Sequence, residues 1–112
     1  MTVLSLLNQV SQMLGNSDTE NPEFQKRALT AVNKVYADMC FLKNKEFNEL
    51  KSVNDIIDVD RRIFYDVMPY GVAAFMASAS GDVENHNFYA RLYNLKRKKN
   101  DISVFQDVIP TV

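Results

Sequence analysis

The stretch MPYGVAAFMASASGD, residues 68–82, constrains the fold more than any other part of the chain. Phe64, Met68, Val72, Phe75 and Ala79 recur at spacings of four and three, which marks one face of a helix. Between them lie Gly71, Ala73, Ala74, Ala77, Ser78 and Ser80. Small residues let a neighbouring helix approach closely, because packing distance follows the side chains at the contact. Pro69 has no amide hydrogen, and its ring crowds the carbonyl of Tyr65. The apolar stripe stays in phase through Pro69, which favours one kinked helix over about 61–80. The alternative is a helix that ends near Met68, with Pro69 in the first turn of a new one. Gly81 suits the left-handed conformation that ends helices. Asp82 then suits the N-cap of a further helix. The Ser-Gly-Asp corner therefore predicts two antiparallel helices.

The remaining segments also read as helices. Thr2 precedes Val3, Leu7, Val10 and Leu14, and Gly15 follows, so a short amphipathic helix is expected there. Residues 15–21 are turn formers. Asn21-Pro22-Glu23 combines a capping side chain, a first-turn proline and an acid near the positive helix end. Phe24, Ala28, Val32, Val35, Met39 and Leu42 follow as the longest stripe in the chain. Leu29, Tyr36 and Cys40 widen it, which predicts a central helix over roughly 22–43. From Lys43 to Asp60 the pattern weakens. Val53, Ile56, Ile57 and Val59 are β-branched, and the segment reads as an ordered loop with short extended pieces, a strand being the other option. Asp58 or Asp60 would cap the next helix. The last helix, about 83–99, is expected to bury Phe88, Leu92 and Leu95, with Tyr89 and Tyr93 alongside. The predicted class is all-α: a small bundle of four to five helices over residues 1–100, with an extended C-terminal arm over 101–112. That arm carries Ile102, Val104, Phe105, Val108 and Ile109, either packed on the domain or offered to a partner chain.

Composition narrows the function classes. A 112-residue chain supports one domain and one core. Its hydrophobic share of 46% argues against disorder, and its net charge of −1 gives no global attraction to nucleic acid or acidic membrane. No apolar run approaches the ~20 residues that span a bilayer. The first residues lack a basic region and are interrupted by Asn8, Gln9, Ser11 and Gln12, unlike a signal peptide. With the lone Cys40 unable to form an internal disulfide, a soluble cytosolic protein is expected.

No set of residues spells catalysis or a cofactor site. His86, the single histidine, lies near the start of the last helix and reads as an exposed or capping-region side chain. Cys40 reads as a buried, inert thiol, and one Cys with one His cannot build the usual zinc site. Asp55, Asp58, Asp60 and Asp66 lack the glycine and glutamate of a calcium loop, so capping and solvation are expected. Arg91, Lys96, Arg97, Lys98 and Lys99 form the one local basic cluster, a candidate for phosphate or acidic-partner contacts. Its neutral reading is a solvated helix end, favoured by the dipole.

Taken together, VNKVYAD (32–38), LKSVNDIIDV (50–59) and the run from Pro69 to Arg97, PYGVA…GD…N…F…YN.KR, resemble the small head-to-tail connector (adaptor) proteins of tailed bacteriophages and prophages. The resemblance covers roughly residues 3–99. It implies a non-enzymatic, cofactor-free structural subunit that forms a ring on the portal protein, extends the DNA channel and docks the tail or a stopper protein. It also implies residence in the virion neck, or in the host cytoplasm during assembly, and an arm over 102–112 that reaches the portal. The basic cluster would line the channel, in non-specific contact with DNA, or meet an acidic portal surface. A small DNA-binding or regulatory helical protein is the competing expectation, since phosphate contacts at 91–99 would weaken steeply with salt.

Overall fold

A computed structural model of the chain describes residues 1–15, 19–100 and 109–111. Five helices are present among them: α1 (Val3–Leu14), α2 (Pro22–Leu42), α3 (Arg61–Asp66), α4 (Met68–Ala79) and α5 (Val83–Lys99). The fold is all-α. No helix among the described residues is long and apolar enough to cross a membrane.

The helix ends follow the capping residues. The Thr2 side chain accepts from the Ser5 amide, and Ser5 reciprocates. Asn21 caps the amides of Glu23 and Phe24. Asp82 accepts from the Asn85 amide at 3.1 Å. Gly15 and Gly81 adopt φ of +72° and +77°, the left-handed stops expected of them.

Within the bundle α4 touches every other helix, and α5 most extensively. Its contacts with α5 step outward from the Ser-Gly-Asp corner: Ala74 meets His86, then Gly71 meets Tyr93. Beyond α4, Asp66 meets Lys96. Residue numbers fall along one side of these contacts as they rise along the other, so the pair of helices is antiparallel. Contact on several sides explains why the small residues matter. Gly71, Ala73, Ala74 and Ala77 are all buried. By contrast Phe75, on the expected stripe, is half-buried and Ala79 is exposed.

Two expectations are corrected here. Residues 61–80 form two helices, not one kinked helix. They meet at Val67, whose φ and ψ are −120° and −55°. The Val67 amide still bonds to Ile63, but Pro69 cannot donate to Tyr65, and the helix restarts with the proline in its first turn. The second correction is the phase of α5. Phe88 and Leu95 are 54% and 61% exposed, while His86, Ala90, Tyr93, Asn94 and Arg97 face inward.

The β-branched stretch after α2 is a loop with one isolated bridge, between Thr2 and Ile56. Its carbonyls cap α1: Val3 donates to Asp55 at 3.0 Å and Leu4 to Val53 at 2.8 Å. Those amides begin a helix and have no partner within it. The loop is fastened to α2 by Asn33. The Asn33 amide accepts from the Leu50 N–H at 2.8 Å and donates to the Leu50 carbonyl at 2.9 Å.

Candidate functional site

Helix α5 carries the basic cluster and the single histidine singled out in the sequence, and it has two unlike faces. Turning 3.6 residues per turn places positions 86, 90, 93, 94 and 97 on one side and 84, 88, 91 and 95 on the other.

The inner face is polar. His86 is buried against α4, contrary to the exposed position expected of it. Its Nδ1 lies 2.9 Å from the Ala74 carbonyl oxygen and its Nε2 lies 3.0 Å from that of Pro110. A neutral imidazole can donate to one of these oxygens, an imidazolium to both. Two turns further on, the Asn94 amide donates to the Ile109 carbonyl at 3.0 Å and accepts from the Ile109 N–H at 3.5 Å. The Ile109 side chain is 1% exposed. So Ile109, placed in the arm from the sequence, seats on the domain. Ile102, Val104, Phe105 and Val108 lie outside the described residues.

Deeper along α5 the basic cluster turns inward. Arg97 is 1% exposed, so its guanidinium is not offered to a phosphate in solvent, a correction to its candidate role. Its Nε lies 3.2 Å from the Asp38 carboxylate of α2. That nitrogen makes no aligned hydrogen bond among the described residues, so charge attraction holds the pair. Tyr93 donates to the same carboxylate at 2.5 Å. Burial, then the Asp38 charge, push the Tyr93 phenol well above its ordinary range. The sequence pattern hid this arrangement because polar residues occupy the buried line.

Lys96 is also engaged. It donates to Asp66 at 2.8 Å and sits 5.2 Å from the Tyr70 ring. Asn100 donates to the other Asp66 oxygen at 3.0 Å. The Lys96 bond, then that of Asn100, hold the Asp66 carboxyl below the usual carboxylate range. Asp66 in turn raises Lys96. Lys99 lies 3.9 Å from Asp66 and stays exposed, as do Arg91 and Lys98.

The outer face presents Phe88 and Leu95 to solvent with the exposed Arg91 between them. Phe88 packs edge-on against Tyr89 at 5.0 Å and has no deeper seat.

The acidic residues Asp55, Asp58 and Asp60 each have local work. Asp55 accepts from the Lys51 and Ser52 amides. Asp58 pairs with Lys45 at 2.7 Å, and Asp60 caps α3. Among the described residues no three His, Cys, Asp or Glu side chains converge as metal ligands would. Cys40 is buried in α2, and burial raises its thiol above the ordinary value. No protein-family model, curated protein or solved structure matches the chain.

Proposed function

We propose that this chain is a structural subunit of the head-to-tail connector kind, acting through protein contacts rather than catalysis. The observation that carries this reading is the outer face of α5. Two large apolar side chains, Phe88 and Leu95, stand two turns apart with an arginine between them. Aromatic residues and arginine are enriched where protein interfaces gain most of their energy, and a grouped apolar face has a stronger meaning than one stray exposed leucine. In a ring, each copy would use this face against a different surface of its neighbour, the head-to-tail geometry that closes by rotation. The portal protein, and a tail or stopper protein, are the further partners that the resemblance supplies. The competing DNA-binding reading loses support from Arg97 and Lys96, whose charges are engaged with Asp38 and Asp66.

The test is to mix the purified chain with the portal protein encoded beside it and image the product by negative stain. Rings or added density on the portal are expected, lost in Phe88→Ser/Leu95→Ser. If the chain ignores the portal and is instead retained on duplex DNA in a salt-sensitive way, the connector reading fails and Arg91, Lys98 and Lys99 become the site.

A further inference from the structure

His86 stands between two carbonyl oxygens from different parts of the fold. The residue is 7% exposed, with Nδ1 at 2.9 Å from the Ala74 oxygen and Nε2 at 3.0 Å from the Pro110 oxygen. An uncharged imidazole has one N–H and one lone pair, so one of these contacts then sets a nitrogen lone pair against an oxygen lone pair. The two oxygens are not equivalent. Ala74 lies inside α4 and His86 inside α5, and both backbones are held by helical hydrogen bonds. That contact cannot lengthen unless a helix moves. The Pro110 carbonyl belongs to a segment outside any helix. The uncharged ring therefore keeps its proton on Nδ1, for Ala74, and the Pro110 contact is the one left without a hydrogen.

We propose that His86 is a proton-operated latch on the Ile109–Pro110 segment. Uncharged, it holds α4 alone. Charged, its Nε2–H also donates to the Pro110 carbonyl, a charge-assisted bond of the stronger kind. Asn94 and the enclosed Ile109 side chain hold the segment in both states, so the proton tightens a seat that already exists. The segment is held most firmly in acid, and the extra hold is lost as pH rises through the titration of the ring. An ordinary imidazole changes charge between about pH 5 and 8. Proton and seated segment strengthen each other reciprocally.

Few other charges reach the ring. Helices α1 and α4 contain no Asp, Glu, Lys or Arg, and neither do residues 109–111. Tyr70, the one ionisable side chain of α4, lies at its other end beside Lys96. On α5, Asp82 is one turn before His86 and accepts from the Asn85 backbone and side chain at 3.1 and 2.8 Å. Glu84 is exposed, and Tyr89, one turn after, donates to the Met13 carbonyl. Arg27 and Lys34 of α2 are exposed on a cleft they share with Asn85. Among the described residues no carboxylate contacts the imidazole, so the two carbonyl oxygens are what stabilise its second proton. Nothing in the latch requires the connector reading.

The experiment uses the full chain, whose single histidine makes the ring signals unambiguous. Long-range proton–nitrogen NMR spectra from about pH 8 down to about pH 5 should show the Nδ1–H tautomer giving way to imidazolium. Exchange of the Ile109 amide, divided by that of an unstructured chain at each pH, should slow about tenfold over the same range, the scale of one hydrogen bond to a charged group. Its midpoint should coincide with that of the ring. The Leu50 amide, which donates to Asn33 at 2.8 Å, reports opening elsewhere and should not follow the ring. In His86→Gln the pH dependence at Ile109 should vanish. If that variant does not fold, coincidence of the two wild-type midpoints decides. An Nε2–H tautomer at high pH, a ring uncharged throughout, or Ile109 protection unchanged as the ring charges would each overturn the latch.

Discussion

Replacing Asp38 by alanine tests whether Arg97 belongs to the interior of the domain or to its binding surface. The Arg97 side chain is 1% exposed and that of Asp38 is 17% exposed. Without the carboxylate, the guanidinium keeps the Tyr93 ring at 5.7 Å but has no opposite charge beside it among the described residues. Tyr93 loses its acceptor in the same step. Removing one partner of a buried ion pair costs about 3–5 kcal/mol. The partial exposure of Asp38 admits some water and places the loss near the lower end, about 3 kcal/mol. A domain of this length has about 6–17 kcal/mol in total, at about 0.05–0.15 kcal/mol per residue. The substitution therefore removes between a fifth and half of the stability. Urea unfolding followed by far-UV circular dichroism measures it, as a lower midpoint with an unchanged slope. Asp38→Leu/Arg97→Met/Tyr93→Phe should lie within about 1 kcal/mol of wild type, because it strands neither the charge nor the Tyr93 hydroxyl. A loss below about 1 kcal/mol for Asp38→Ala is the size expected of an exposed pair. That result would refute the reasoning and return Arg97 to the list of phosphate contacts.

Three other substitutions or probes give separable outcomes. In Gly71→Ala the new methyl would lie 2.8 and 2.9 Å from Tyr93 ring atoms and 2.9 Å from a Val35 methyl; overpacking of about 1–3 kcal/mol outweighs the ~1 kcal/mol gained in helix propensity, and calorimetry should show a lower melting temperature. Asp66 has a depressed carboxyl, so its contribution is present above the ordinary carboxylate value and is lost as pH falls through the folded-state value. Asp66→Asn should therefore be less stable by about 1 kcal/mol at neutral pH, with the gap to wild type closing in acid below about pH 4. Cys40 is buried with a raised thiol, so Ellman's reagent at mildly alkaline pH should label it only as fast as the domain opens, and urea should accelerate labelling sharply.

The sequence revealed those features whose partners are local. Thr2, Asn21 and Asp82 cap helices whose amides lie two or three residues away. The α2 stripe from Phe24 to Met39 is apolar at helical spacing and is buried as its pattern requires. The break at Val67 was less legible, because Pro69 allowed it while the apolar residues keep phase across it. The inner face of α5 was not legible at all. His86, Asn94 and Arg97 are polar, and what permits their burial lies far away in the chain, at Pro110, Ile109 and Asp38. The β-branched residues 53–57 carried the opposite ambiguity. Their side chains suit a strand, while their carbonyls serve as the cap of α1.

Helix α5 is amphipathic in the reverse sense, and the magnitudes show which interactions fix its rotation. Fully burying a Phe or Leu side chain is worth about 1.5–3 kcal/mol relative to leaving it exposed. Phe88 and Leu95 are each already about half covered, so turning them inward would gain about 2–3 kcal/mol together. The same rotation would strip His86 from Ala74, Asn94 from Ile109, and Tyr93 and Arg97 from Asp38. Each stranded neutral group costs about 1–3 kcal/mol, and the parted ion pair about 3–5 kcal/mol. The polar contacts therefore outweigh the apolar ones and hold Phe88 and Leu95 outward. A partner that covers these two residues could gain that apolar stabilisation without disturbing any of the inner contacts. The outer face is thus suited to bind while the inner face keeps the tail seated, and the two can be altered independently by substitution.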